Sequence, residues 1–354
     1  MKKFSKVLGF SLLSVLLVGC GGKAQGLAEK STEVQSSSSS EVAEKIESPI
    51  EVKLNQGYFV LFNETKKEET KKERLVLELE VKNLVNNANF LNERKLALLN
   101  KATDEVIKTY VFKEFGSGVL QEKNEKATGA LSFDVEEGAM YDLVYQVNDD
   151  WLSLNITVDP ADYQDTKTTL EDPLTATNAY FNVLAFNEED ANYQKLVSNN
   201  LQNANTLHQN LFKDKVLGAL FSRYKPDEAT VLSMYQRFQA MEKKRATIVP
   251  TLISNDTEKA IVSLQFEIMS HQNIKDLFFE KSQEIGLATH WSGILEGKEE
   301  EATIPQFDEI MEQTVLVRRE EPLVIELVKV EDKWEFDLNN ENFQAIFYGG
   351  YRGK

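Results

Sequence analysis

The chain has 354 residues, a formal net charge of −17 at pH 7 and a single cysteine, Cys20. At about 150 residues per domain, the length predicts two domains, each with its own hydrophobic core. The excess of carboxylates argues against nucleic acid as a partner, because binding to a phosphate backbone needs clustered Lys and Arg. One cysteine excludes an internal disulfide bond, and a lipidated Cys20 leaves no thiol for a zinc site or a nucleophile.

The first residues predict export and a lipid anchor. Three lysines in the first six residues precede the uncharged stretch from Val7 to Val18, which is the pattern of an export signal. The stretch is shorter than the ~20 apolar residues of a membrane span and ends in Leu17-Val18-Gly19-Cys20. This ending resembles the lipobox of bacterial lipoproteins. The alternative is an ordinary signal peptide that happens to contain a cysteine.

The lipobox resemblance implies that residues 1–19 are removed as a signal peptide and that the Cys20 thiol carries acyl chains such as palmitate. Two or more acyl chains hold a protein firmly on a membrane. The acidic composition predicts no basic patch that could bind anionic lipids in their place. Residues 20–49, which include five serines from Ser36 to Ser40, predict a flexible tether with a reach of about 30 Å. The expected location is the cell membrane, with the protein lipid-anchored and facing the extracellular side.

Residues 50–160 predict an all-β domain, because apolar residues alternate with polar ones. Leu75, Leu77 and Leu79 form one apolar face of a strand with a largely solvated reverse. Seven short strands in about 110 residues indicate a β-sandwich. The predicted strands are 58–62, 75–81, 95–99, 106–112, 131–135, 143–147 and 152–158. The pattern resembles the immunoglobulin-like domains of Gram-positive surface lipoproteins, which implies an adhesive or structural role.

After Pro160 the apolar period changes to that of helices, and residues 165–352 predict an α+β domain. Asp172-Pro173 marks a helix start, and Pro226-Asp227-Glu228 marks another. Helices come first and an antiparallel sheet follows. The predicted helices are 172–184, 191–211, 213–224, one from 226, 274–285 and 304–313, and the predicted hairpins pair 247–253 with 260–268 and 323–330 with 333–338.

This order and the closing hairpin, with Lys333-Trp334-Glu335-Phe336 in its last strand, resemble the nuclear-transport-factor-2-like cone. More narrowly, they resemble a C-terminal domain of uncharacterised function in Gram-positive lipoproteins. The resemblance covers residues 170–351 and implies a curved sheet wrapped by helices around a pocket. Relatives use that pocket for catalysis or binding, but a shared fold licenses no activity.

The three histidines, His208, His271 and His290, are far apart in the sequence and predict no zinc site. His271 follows a predicted strand, and His290 lies beside a serine that lacks the Gly-x-Ser-x-Gly elbow of hydrolases. Both are interpreted as loop or edge histidines and not as catalytic groups. Trp291, next to His290, is a candidate to cap the mouth of a pocket.

Other candidate motifs receive structural interpretations. Gly116-Ser117-Gly118 has no third glycine and predicts a turn and not a phosphate-binding loop. Glu188-Glu189-Asp190 predicts the first turn of a helix, and Lys298-Glu299-Glu300-Glu301 predicts a solvated loop, with adventitious divalent binding as the alternative. Trp334, Phe336 and Leu338 share one strand face, which indicates core packing, with a pocket wall as the alternative.

These observations predict a binding or interaction module at the cell envelope. We expect no catalysis, no cofactor, no catalytic, cofactor-binding or metal-ligating residue, and lipid attachment at Cys20. The expected partners are the membrane, through that anchor, and an envelope protein or small-molecule ligand of unknown identity. One alternative is an envelope-associated enzyme that uses the cone pocket. The other is a solute-binding lipoprotein, which would need two hinged lobes of repeated strand-helix units.

Overall fold

The computed structural model describes residues 47–63, 71–288 and 297–350. The predictions for residues 1–46, which include the lipid attachment at Cys20, lie outside the described residues, as do those for His290 and Trp291. None of the helices in the described part has the length and apolar character that crossing a membrane requires.

The N-terminal region is all-β. Its sequence alternation produces the strands directly: in Lys71–Asn83, the residues Leu75, Leu77 and Leu79 are completely buried on one face. The observed strands are β1 Ile50–Asn63, β2 Lys71–Asn83, β3 Asn89–Phe90, β4 Leu96–Asn100, β5 Val106–Ile107, β6 Thr109–Lys113, β7 Val119–Leu120, β8 Lys126–Phe133, β9 Tyr141–Val147 and β10 Asp150–Val158. Six of the seven predicted strands are present, and the seventh, 106–112, is divided into β5 and β6, which belong to different sheets.

Two antiparallel sheets enclose the N-terminal core. One has the strand order β10-β9-β4-β5, and strands β1, β2, β8 and β6 belong to a larger, curled sheet. Inward-facing residues of both sheets, such as Leu77 and Leu131 from one and Leu98 and Leu143 from the other, form a single hydrophobic cluster. The reverse face of the larger sheet carries a second, smaller buried cluster of Val60, Val76 and Ala130.

The C-terminal region combines helices with a sheet. Its helices are α1 Asp172–Leu184, α2 Ala191–Leu196, α3 Leu201–Leu211, α4 Gly218–Leu220, α5 Glu228–Arg245, α6 His271–Ala288, α7 Lys298–Thr303, α8 Phe307–Gln313 and α9 Glu341–Ile346. Its strands are β11 Thr247–Asn255, β12 Lys259–Met269, β13 Leu316–Arg318, β14 Leu323–Val330 and β15 Lys333–Phe336. A 3-10 segment, Pro160–Thr169, precedes α1, and a π-helical segment, Phe212–Leu217, follows α3.

Two predicted helices differ from the structure. The predicted helix 191–211 is divided into α2 and α3, because Val197 forms a β-bridge with Trp334 and the Asn199 side chain bonds both the N–H and the C=O of Phe336. The predicted helix 213–224 ends at Leu220. In both cases contacts distant in sequence override local helix propensity.

One sheet continues through both regions. Its order is β15-β14-β12-β11-β1-β2-β8-β6, with β13 also paired to β12. The regions join where β1 pairs with β11 at Leu61 and Asn255, and the Asn255 side chain also donates to the carbonyl of Leu170. The sequence did not predict that one sheet runs through both regions. The predicted domain boundary near residue 160 stays a prediction.

Candidate functional site

Aromatic rings form a buried cluster in the core of the C-terminal region. Tyr180 is completely buried, and its ring centroid lies 4.3 Å from that of Phe336 and 5.5 Å from that of Phe343. Trp334 and Phe336 are both buried in the same cluster, with Leu338 packed against it. The prediction that these strand residues pack a core is confirmed.

His208 is a core residue of this cluster. Its imidazole Nε2 lies 2.9 Å from the Tyr180 hydroxyl, and its ring stacks on Phe347 with centroids 3.7 Å apart. Burial lowers the pKa of His208 to about 3, so the ring is neutral at physiological pH. His271 is the first residue of α6 and not a loop residue, and its ring centroid lies 6.2 Å from that of Tyr348.

Glu242 on α5 borders a small cavity inside the C-terminal region. The cavity has a volume of about 10 Å³, which holds about one water molecule, and Gln239 and Tyr235 also line it. One carboxylate oxygen accepts the N–H of Met269 at 3.1 Å, and the other has no partner among the described residues. Burial raises the pKa of Glu242 to about 8, despite this bond and the nearby charge of Arg245.

Glu300 corrects the prediction of a solvated loop at 298–301. The segment is helix α7, and Glu300 is buried. Its carboxylate accepts the hydroxyl of Ser222 at 2.6 Å and the backbone N–H groups of Ser222, Arg223 and Tyr224 at 3.0, 3.0 and 2.7 Å. Burial alone would raise the pKa of Glu300, but these hydrogen bonds lower it overall. Gly297 permits the close approach of α7 to the segment 222–224, because a Cβ at this position would lie 2.4 Å from the Tyr224 nitrogen.

A polar cleft of about 300 Å³ lies between β1, the 3-10 segment and β14. Glu78, Asp172 and Glu258 line it, with Lys329 as a cation. The Tyr58 hydroxyl donates to Glu78 at 3.4 Å, and burial, reinforced by Glu78, raises the pKa of Tyr58. Over the residues with described placement, no group of three or more His, Cys, Asp or Glu is arranged to hold a metal ion.

Two adjoining hollows lie on the outer faces of the N-terminal sheets. They share the lining residues Arg94 and Thr109, and we call the two hollows together the basic groove. The first hollow has a volume of about 500 Å³ and is lined also by Ala97, Val106, Lys108, Gln146 and Trp151. The second has a volume of about 430 Å³ and is lined also by Phe62, Arg74, Tyr110, Val111, Phe112 and Ser132.

Arg74 lies beneath exposed rings at one end of the basic groove. Its guanidinium carbon is 3.9 Å from the centroid of Tyr110 and 4.5 Å from that of Phe62, and its Nε is 2.7 Å from the Asp134 carboxylate. Arg74 is 1% exposed, whereas Tyr110 is 42% and Phe62 is 38% exposed. The guanidinium therefore holds both rings in place by cation–π contacts while their outer faces remain open.

Trp151 forms the floor at the other end of the basic groove. It pairs across the small sheet with Gln146, and both lie on the face opposite the core. Arg94 and Lys108 are exposed at the rim, and neither makes an ion pair with any residue that the structure describes. This concentration of unpaired positive charge contrasts with the net charge of −17.

The sequence was compared with known proteins. The family described as "Domain of unknown function (DUF5105)" matches residues 163–348, just over half of the chain. The chain belongs to the DUF5105 family. A search of curated proteins finds no match. Among solved structures, the fold is similar to that of a "putative lipoprotein (ycdA)" from Bacillus subtilis subsp. subtilis str. 168, with TM-score 0.62 and 17% sequence identity over 84% of this chain and 94% of that chain.

The basic groove lies outside the DUF5105 match, in the region before residue 163. The sequence alone did not predict a binding role for Arg74, Arg94, Lys108 or Trp151. One signal was available: in the strand with Leu152 and Leu154, the alternation places Trp151 on the solvated face. A tryptophan on a face predicted to be solvated indicates a binding surface.

Proposed function

We propose that this DUF5105 protein is a binding module anchored by lipid at Cys20 to the outer face of the cell membrane. The sequence Leu17-Val18-Gly19-Cys20 after an export signal supports the anchor. The description of the Bacillus subtilis structure as a "putative lipoprotein" agrees with it. Acyl chains would supply the membrane affinity that an acidic chain cannot gain from anionic headgroups.

Binding is the activity best supported by the basic groove, and one observation carries the proposal. A buried Arg74 holds the exposed rings of Phe62 and Tyr110 beside the unpaired cations of Arg94 and Lys108. Exposed aromatic rings and Arg are typical of recognition surfaces, because they contribute large contact areas with little loss of side-chain entropy.

We propose further that the N-terminal sheets are an immunoglobulin-like sandwich that carries the recognition surface. In this proposal the DUF5105 region is a nuclear-transport-factor-2-like cone whose interior serves stability, since aromatic rings such as Tyr180 and Phe336 occupy it. A solute-binding role is less favoured, because the continuous sheet joins the two regions through β1 and β11 and leaves little freedom for hinged lobes.

An enzymatic function is the second candidate, and Glu242 favours it. A buried carboxyl with a pKa raised to about 8 is a common feature of catalytic sites. The adjoining cavity, however, holds about one water molecule, and His271 does not line it. Binding therefore explains more of the described surface than catalysis does.

Fractionation of cells that express the full chain or Cys20→Ala tests the anchor. We expect the native chain in the membrane fraction and the variant outside it. An equal distribution of both would contradict the anchor.

A pull-down from intact cells tests the binding role. The double variant Arg94→Gln with Lys108→Gln should lose partners that a surface control, Lys213→Gln with Lys275→Gln, retains. Identical recovery from both double variants would contradict binding through the basic groove.

A further inference from the structure

We propose that the basic groove binds an acidic glycan, a sugar chain that carries carboxylate groups. This inference rests on the proposed binding function and names its ligand class. The groove extends from Trp151 on the small sheet to Tyr110 and Phe62 on the large one. Two adjoining hollows of about 500 and 430 Å³ suit several linked units better than one small molecule.

Charge complementarity favours an anionic occupant. Arg94 and Lys108 are exposed at the rim of one hollow, and neither has an acidic partner within the described ranges. Their charges stand out against the net charge of −17, which repels anions elsewhere. A carboxylate that reaches Arg94 would accept charge-assisted hydrogen bonds in the fork geometry of a guanidinium.

The rings favour a sugar as the carrier of that charge. The face of Trp151 and the rings of Tyr110 and Phe62 present negative π surfaces, which attract the weakly positive C–H groups of a sugar ring. Gln146 adds an amide beside Trp151 that can donate to and accept from hydroxyl groups.

An acidic peptide fits the groove less well. Extended peptides gain affinity by adding a strand to a free sheet edge. The five-residue strand β6 offers such an edge, but the rings and cations that line the groove are side chains, and contacts to them leave the backbone of a peptide unpaired. The floor at Trp151 is a sheet face, which offers no backbone hydrogen bonds. The peptide is therefore an outcome of the test and not the proposed ligand.

Three probes separate these ligand classes in a titration of the full chain in detergent micelles. Polygalacturonate carries a carboxylate on every sugar, its methyl ester has the same sugars without charge, and polyglutamate has the charge without sugar rings. We expect polygalacturonate to bind at least about tenfold more tightly than either of the others, and rising salt to weaken it. Comparable binding of polyglutamate, or no binding of polygalacturonate, would overturn the proposal.

Matched variants assign the binding to the groove. Arg94→Gln with Lys108→Gln, and separately Trp151→Ala, should each weaken polygalacturonate binding by about tenfold or more. The controls, Lys213→Gln with Lys275→Gln and Phe279→Ala, remove equal charge and an exposed ring on helices away from the groove. Equal effects of groove and control variants would overturn the assignment. Loss of glycan binding with partner recovery intact in the pull-down would reject the ligand class and leave the proposed function standing.

Discussion

At the scale of single residues, Glu242 links stability to pH. The folded state raises the pKa of this carboxyl from 4.5 to about 8, chiefly by burial, so it retains a proton that the unfolded chain releases. Between these two values the folded state binds more protons. The stability that depends on the neutral carboxyl is therefore fully present below pH about 4.5 and is lost as the pH rises toward 8.

Glu242→Gln should remove this pH dependence, because an amide of similar shape cannot ionise. We expect the variant to gain stability relative to the native chain as the pH rises from about 5 to about 8. Urea unfolding followed by circular dichroism at both pH values measures the difference, with Glu301→Gln as an exposed control. Parallel pH profiles for the native chain and Glu242→Gln would show that the carboxyl is already ionised in the folded state.

The sequence identified core residues more readily than surface ones. Trp334 and Phe336 were predicted to pack a core because an alternating strand places both on one face. The role of Arg74 depends on Tyr110 and Asp134, which reach it from other parts of the chain. The apolar period of a strand predicts the face on which a residue lies, but it does not predict which residues of other strands lie beside it. The basic groove was therefore not predicted.

At the scale of elements, α7 and the segment 222–224 form a pair. The Glu300 carboxylate satisfies three backbone N–H groups that no helix satisfies, because α4 ends at Leu220. The acidic run 298–301 gave no sequence signal that Glu300 differs from its neighbours. Its partners lie more than 70 positions away along the chain, where propensity carries no information.

Glu300→Ala should destabilise the protein by about 2–4 kcal/mol, since buried N–H groups lose a charged acceptor. Glu301→Ala, at an exposed neighbouring position, should change stability by less than about 0.5 kcal/mol. The free energy of unfolding in urea measures both. Equal effects of the two substitutions would contradict the described role of Glu300.

Strands were predicted in both regions because apolar residues recur at every second position along β2, β9 and β14. The hairpin of β11 and β12 and that of β14 and β15 were also found, from turn residues between alternating runs. Helix prediction failed where an element is interrupted, as at Asn199 between α2 and α3. This interruption combines tertiary hydrogen bonds with a local cap, because the Asn200 side chain accepts the N–H of Asn203 at the start of α3.

At the scale of the whole molecule, one sheet joins a hydrophobic core of the N-terminal region to a core of the C-terminal region. A further cluster, which includes Phe212 and Phe278, packs among the C-terminal helices. Leu61, from the N-terminal region, packs in the C-terminal core, and Leu170 packs in the N-terminal core. Asn255 joins them, because it is buried, pairs with Leu61 and donates to the Leu170 carbonyl. Unfolding of one core should therefore promote unfolding of the other.

Asn255→Ala should weaken this coupling. The Leu170 carbonyl would lose its donor, which costs about 1–3 kcal/mol, and the two cores should begin to unfold separately. Urea titrations should then show a lower m-value or two transitions, whereas Asn203→Ala, on an exposed face of α3, should leave the curve unchanged. A single transition with the native m-value in Asn255→Ala would place the coupling elsewhere.

Site-specific photocrosslinking on living cells tests the account most directly, since it requires both the outward anchor and the basic groove. A photoreactive residue would replace Gln146, inside the groove, or Lys275, on the exposed side of α6. The account predicts adducts with envelope material at position 146 in the membrane fraction and none above background at position 275. Adducts at 275 alone, or equally at both positions, would contradict it.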